Sequence, residues 1–213
     1  MSKPKVLIAD DHLIVAQGLA ALLRDEFDLV GVARDGHELV DLARRLAPDV
    51  IVADISMPSL NGIDALRQLR KQDVSAKVIL LTQHKDPRIA AEAFRAGAFG
   101  FLIKQAAGDE LVTAIHEALQ GRTYLTSMIA RDLITPLLQT QAKQPGHKTE
   151  LTPRQREILQ LLTEGKTAKE VAAALNISVR TVEGHKYEIM ETLGAKSSAE
   201  LVHHAIRLGL ISV

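Results

Sequence analysis

Five apolar runs of four or five residues punctuate the first 121 positions of this 213-residue chain: Val6–Ala9, Leu29–Ala33, Val50–Ala53, Val78–Leu81 and Phe99–Ile103. They are nearly free of polar groups, as strands buried on both faces of a parallel sheet must be. Between them lie stretches with helical spacing, such as Ile14-Val15, Leu19, Leu22-Leu23 and Leu39, Leu42-Ala43, Leu46. Strand and helix in regular alternation leave few solutions, and the expectation is a doubly wound five-stranded α/β domain with right-handed crossovers.

The alternation stops near residue 121. Thr126–Gln141 reads as one further helix (Ile129, Leu133-Ile134, Leu137-Leu138), bent or loosened late by Pro136. Gln139–Thr149 has no large apolar residue and contains Pro145-Gly146, the composition of a flexible linker. As a coil it spans ~18 Å r.m.s.. From Glu150 the pattern is helical in four short pieces, opened by Thr152 as N-cap with Pro153 behind it and broken near Gly165, Asn176 and Gly194. The chain therefore divides into 1–121, a connecting 122–149 and an all-α four-helix module over 150–213.

Composition removes several classes of function. With no Cys there is no disulfide, thiolate nucleophile or cysteine metal site. Aromatic residues are 3%, too few for a single-strand stacking platform. No apolar run approaches the ~20 residues that span a bilayer, and Met1–Lys5 leads into a strand and two aspartates rather than a signal peptide. The expected location is the cytoplasm, without membrane association. Lys plus Arg and Asp plus Glu number 26 each, and segment 150–213 is itself balanced, so charge alone does not announce nucleic acid. That evidence must come from a motif.

The carboxyl ends of the strands carry the first one, because ligands of open α/β sheets bind there. Asp10-Asp11 follow the first run, Asp54 the third, Thr82 ends the fourth and Lys104 the fifth. Each alone has an ordinary role: an N-cap, a solvated carboxylate, a capping hydroxyl, a surface ammonium. Their arrival together on one sheet edge favours chemistry. Carboxylates suit Mg²⁺, and a bound cation with the Lys104 ammonium can neutralise a transferring phosphoryl group. One carboxylate can act as nucleophile to give an aspartyl phosphate. Asp54 is the candidate because it is central, leaving Asp10 and Asp11 for the metal. Among the other histidines, His12, His37, His116, His147, His203 and His204 show no metal-ligand spacing with a third partner.

Ile8-Ala-Asp-Asp-His12, Asp54-Ile-Ser-Met-Pro58 with Asn61-Gly62, Leu81-Thr82 and Gly100-Phe-Leu-Ile-Lys104 resemble the receiver domain of bacterial two-component response regulators. The resemblance covers about 5–121. It implies a flavodoxin-like sheet of order 2-1-3-4-5, Asp54 as phosphoacceptor and Asp10, Asp11, Asp54 and the backbone carbonyl of Ser56 as Mg²⁺ ligands. It also implies Thr82 and Phe101 as switch residues, Lys104 as the phosphoryl-binding cation and a sensor histidine kinase as donor. Two departures stand out: Gln83 occupies a position that is commonly small or apolar, narrowing access to Asp54, and Phe101 replaces a frequent Tyr, removing a hydroxyl.

In the last segment, Thr167–Leu175, a turn at Asn176-Ile177 and a helix from Ser178 to about Leu193 read as a helix-turn-helix. Val179, Val182, Ile189 and Leu193 suit packing on the scaffold, while Arg180, Glu183, Lys186 and Tyr187 project outward and Gly184 permits close approach of a groove. Arg and Lys suit guanine edges or phosphates, Glu183 a cytosine amino group, and Lys169 a phosphate. Leu151-Thr-Pro-Arg-Gln-Arg-Glu-Ile-Leu159, Lys169-Glu-Val-Ala172 and Ile177-Ser-Val-Arg-Thr-Val-Glu-Gly-His185 resemble the LuxR-type helix-turn-helix over about 147–213. Thr181 and His185 fall within that pattern, His185 either touching a phosphate or buttressing the helix. The closing helix (Leu201-Val202, Ala205-Ile206, Leu208) is either a dimerisation surface or core.

Together these resemblances point to a response regulator of the NarL/FixJ type, a non-enzymatic transcription regulator that binds promoter DNA as a homodimer when phosphorylated. Two other classes stay open: an orphan regulator that binds DNA without phosphorylation, and a Mg²⁺-dependent phosphohydrolase that uses Asp54 on a small substrate.

Overall fold

The computed structural model describes residues 2–130 and 151–211, and its contacts divide the chain into two compact units, Met1–Gln141 and Ala142–Val213. The first alternates β1 (Lys5–Ala9), α1 (Leu13–Leu23), β2 (Asp28–Ala33), α2 (Gly36–Leu46), β3 (Val50–Asp54), α3 (Gly62–Lys71), β4 (Lys77–Thr82), α4 (Pro87–Arg95), β5 (Gly100–Ile103), α5 (Ala107–Leu119) and β6 (Tyr124–Leu125). All neighbouring strands are parallel, in the order β2-β1-β3-β4-β5-β6. This is the expected doubly wound sheet with one strand added.

The sixth strand corrects the expectation of five. Residues 124–125 read as connector because two residues carry no periodicity, yet Tyr124 N–H donates to Phe99 O at 2.8 Å and Thr126 N–H to Phe101 O at 3.1 Å. A helical turn follows at 127–130. The rest of the helix expected over Thr126–Gln141, and the linker beyond it, lie outside the described residues.

Alternate side chains of each strand fill two cores. Leu7, Ile51 and Leu80 point to one face and meet α2, α3 and α4 through Leu39, Ile63, Leu66 and Ile89. Val6, Ile8, Val52 and Leu81 point to the other and meet α1 and α5 through Leu19, Leu23, Leu111 and Ile115. Burying each such side chain is worth ~1.5–3 kcal/mol, which fixes the register of all the central strands and therefore which residues stand at their ends.

The helices begin where the sequence supplies caps. Asp35 accepts from His37 N–H and Glu38 N–H, Asn61 from Ile63 N–H and Asp64 N–H, and Asp86 from Arg88 N–H ahead of Pro87. Gly62 is required sterically: a Cβ there would sit 2.3 Å from the Asp54 carbonyl oxygen. The loop after β3 thus folds tightly back on Asp54, closed by Gly62 N–H donating to Ile55 O at 2.9 Å.

Among the described residues the second unit holds α6 (Pro153–Thr163), α7 (Ala168–Ala174), α8 (Val179–Leu193) and α9 (Ser198–Arg207), the four helices expected. Thr152 caps α6 and Thr167 caps α7, each in a reciprocal capping box with Gln155 or Glu170. Ser178 caps α8, which ends at Gly194 with φ 66°. Ile158, Leu159, Val171, Val182, Ile189, Leu201, Ala205 and Leu210 form its core.

Candidate functional site

At the carboxyl edge of the sheet, Asp10 is 1% and Asp54 3% exposed, so both carboxylates are taken out of water. Burying charge without compensation is costly, and here Lys104 supplies compensation. Its Nζ lies 2.8 Å from Asp10 Oδ2 and 2.8 Å from Asp54 Oδ2, bridging the ends of β1 and β3 from the turn after β5. Burial pushes the Asp54 carboxyl above the usual carboxylate range, with Asp10 adding to it, while Lys104 and the Ser56 backbone N–H pull it down. For Lys104, burial opposes the charged form, but its two carboxylate partners outweigh this and raise its pKa.

One ligand atom from each of Asp10, Asp11, His12 and Asp54 lies within 4.8 Å of the others. Three carboxylates against one ammonium leave uncompensated negative charge, and the oxygen-rich donor set fits a hard divalent cation. His12, which shows no metal-ligand spacing with a third partner in the sequence, lies in space beside this cluster. Its Nδ1 is 2.9 Å from Asp11 Oδ1 and 3.5 Å from Asp10 Oδ1. The signal available was adjacency to Asp10-Asp11, and the sharp start of α1 turns adjacency into convergence.

Thr82 is fully buried at the end of β4, and its Oγ1 accepts from His84 N–H at 3.0 Å. Phe101 is fully buried in the core against the face covered by α4, while Gln83 is exposed. Beyond Asp54, the Asn61 cap also donates to Asp64 Oδ2 at 2.7 Å, and Arg67 joins Asp64 at 2.6 Å to Glu92 of α4 at 2.8 Å. Sequence alone gave no sign of this tie between α3 and α4, because Arg67 and Glu92 are far apart in the chain.

In the helical unit, α7 and α8 are joined by a turn in which Asn176 takes φ 51°. Val182 and Ile189 are buried as expected, and Leu193 is half-buried. Val179 is not packed on the scaffold: it is 40% exposed, because as the first residue of α8 it precedes the turn that docks. Arg180, Thr181, Glu183, Gly184 and Tyr187 are exposed along α8, His185 and Lys186 are half-buried, and Lys169 is exposed on α7. His185 Nδ1 lies 3.2 Å from Glu188 Oε2, which also accepts from Gln155 Nε2 at 3.1 Å. In α9, Leu201 and Ala205 are core, whereas Val202 and Ile206 are only half-buried.

A doubly wound sheet with an acidic pocket at its carboxyl edge, carried in one chain with a helix-turn-helix, defines a response regulator that works on DNA. The sequence bears this out: residues 6–116 match the response regulator receiver domain, and residues 149–205 match the luxR family of bacterial regulatory proteins. The chain belongs to the response regulators with a LuxR-type DNA-binding domain.

It is 34% identical over 207 residues to the response regulator UvrY of Escherichia coli K12, covering 96% of this chain and 94% of that one. To the oxygen regulatory protein NreC of Staphylococcus aureus it is 33% identical over 214 residues, covering 97% and 99%. Among solved structures, RcsB of Salmonella typhimurium superimposes with a TM-score of 0.70 at 26% identity, over 98% of this chain and 99% of that one. The RcsB–DNA complex gives a TM-score of 0.60 at 26% identity, over 96% and 98%. Among the described residues no helix is long and apolar enough to cross a membrane.

Proposed function

We propose that Asp54 accepts a phosphoryl group from a sensor histidine kinase, and that this modification controls homodimerisation and promoter binding by the helix-turn-helix module. The observation that carries the proposal is the double bridge of Lys104 to Asp10 and Asp54, at 2.8 Å each. It holds a cation where transferring phosphoryl oxygens gather and keeps the nucleophilic carboxylate oriented.

Asp54 Oδ attacks phosphorus, the bond from phosphorus to the donor nitrogen breaks, and the imidazole leaves with its electron pair. Lys104 then shifts its contact from the Asp54 carboxylate to the new oxygens, a charge-assisted pair in a poorly hydrated site. Asp10, Asp11, Asp54 and the backbone carbonyl of Ser56 would hold Mg²⁺, which when bound would supply charge neutralisation for the phosphoryl oxygens. Phosphorylation adds ~−1.5 to −2 charges. Thr82 gives up its turn with His84 to donate to a phosphoryl oxygen, and Phe101 follows it. These steps bias an equilibrium between two receiver conformations.

On the DNA side, Arg180, Thr181, Glu183, Gly184, His185, Lys186 and Tyr187 of α8 face the major groove and Lys169 a phosphate. A two-fold dimer then reads half-sites about one helical turn apart. The receiver occupies 1–121 and the DNA module 150–213, working together in the cytoplasm without turning over a substrate. Intact-protein mass after incubation with acetyl phosphate and Mg²⁺ tests the central step. One phosphoryl adduct on wild type and none on Asp54→Asn is expected. An adduct on both places the acceptor elsewhere. No adduct on either, together with no binding of beryllofluoride, supports the orphan regulator instead.

A further inference from the structure

Gly184 sits in the interior of the 15-residue helix α8, where glycine is less favourable than alanine for both entropic and hydration reasons. Nothing among the described residues requires it. A Cβ at this position would meet no atom within 4 Å, and its φ is not positive. The contrast with other glycines is direct: Gly62 would collide with the Asp54 carbonyl, Gly100 would lie 2.9 Å from Ile79, and Gly194 ends α8 at φ 66°. Gly18 of α1 and Gly108 of α5 share the empty surroundings, but Gly184 lies on the helix expected to enter the groove.

Its neighbours along the helix face are Arg180 four residues before and Tyr187 three residues after, both exposed, with Tyr187 at 71%. Glu188, four residues after, is drawn aside: its Oε2 accepts from Gln155 Nε2 of α6 and pairs with His185 Nδ1. The backbone at Gly184 therefore stands bare and open to solvent, between two exposed side chains on the same helix face.

Resting on the reading of α8 as the recognition helix, we propose that this bare stretch of backbone is a specificity device that seats the 5-methyl group of a thymine against Gly184. The chemistry selects that occupant. Every other feature of a base edge in the major groove is a planar donor or acceptor that needs a polar side chain, whereas the thymine methyl is an apolar knob that needs only space. Arg180 and Tyr187 then contact the bases or phosphates on either side.

The test uses the full-length chain and a duplex enriched by it from a random-sequence library. Each thymine is replaced in turn by deoxyuridine, which removes only the methyl group. At one thymine per half-site wild type loses roughly fourfold in affinity, the worth of one buried methyl group. Gly184→Ala covers the bare backbone with a methyl group. It is expected to raise the thermal midpoint of the helical module by a few degrees while weakening binding to the thymine duplex at least tenfold. It also no longer distinguishes thymine from deoxyuridine at that position. Unchanged binding by Gly184→Ala, a uniform indifference to deoxyuridine, or a lowered thermal midpoint in the variant overturns the proposal. Failure to enrich any duplex overturns instead the recognition-helix reading beneath it.

Discussion

The receiver pocket and the recognition helix place charged groups in opposite circumstances. In the pocket, Asp10 and Asp54 are almost wholly withdrawn from water and share one ammonium at 2.8 Å. On α8, Arg180 and Glu183 stand in solvent, and Tyr187 is 71% exposed. A buried charge must be compensated from within, so the pocket explains itself through its own geometry. An exposed charge carries no such obligation, and its purpose lies with whatever docks on it. The first region therefore has large internal energies and few free parameters; the second has small internal energies and its meaning in a partner.

Removing the compensation should break this contrast most visibly. Lys104→Ala leaves Asp10 and Asp54 facing each other without a cation, and the receiver is expected to lose about 3–5 kcal/mol of stability in EDTA. Added Mg²⁺ recovers part of it. Urea denaturation with and without Mg²⁺ measures both. Arg180→Ala sharpens the other side of the comparison. Stability stays within ~0.5 kcal/mol, as for exposed substitutions generally, while specific DNA affinity falls by about 1–3 kcal/mol, measured by fluorescence anisotropy on an enriched duplex.

A smaller effect concerns Asp54 itself. Its carboxyl is raised above the ordinary value of 3.8 by burial, so ionising it costs the fold. The stability it contributes is fully present below 3.8, where it is protonated in both states, and is lost as pH rises through its raised value. Asp54→Asn removes that cost and leaves Lys104 paired with Asp10. In Mg²⁺-free buffer the variant is expected to be more stable than wild type at neutral pH by roughly 1 kcal/mol, and the gap to close on acidification. Denaturation midpoints across pH check the sign. A variant less stable at neutral pH would mean that Lys104 needs Asp54 more than burial opposes it.

Legibility in the sequence followed the same division. The four central strands were readable because both faces are buried and the runs are uninterrupted, and their ends then named Asp10, Asp11, Asp54, Thr82 and Lys104; β2, at the sheet edge and only partly buried, was readable from its apolar run alone. The caps Thr152 and Ser178 were readable from local chemistry. Tyr124–Leu125 was not, because a two-residue strand is defined by pairing with β5 and not by its own pattern. His12 was not, because convergence on the carboxylates depends on the turn between β1 and α1. The Arg67–Glu92 pair depends on how α3 and α4 are laid on the sheet. Val179 was misplaced for a simpler reason: apolar periodicity cannot tell a packed residue from one at a helix start that is 40% exposed.

Phosphorylation of Asp54 is the one event proposed to join the two regions, and the most direct measurement follows it across the chain. Affinity for an enriched promoter duplex is titrated with full-length protein before and after acetyl phosphate and Mg²⁺, with Asp54→Asn in parallel. Wild type should bind more tightly after treatment, with a steeper concentration dependence as dimers form, and Asp54→Asn should not change. Equal tightening of both proteins, or no change in a wild type shown by mass to carry the phosphoryl group, would contradict the claim that Asp54 governs the helix-turn-helix.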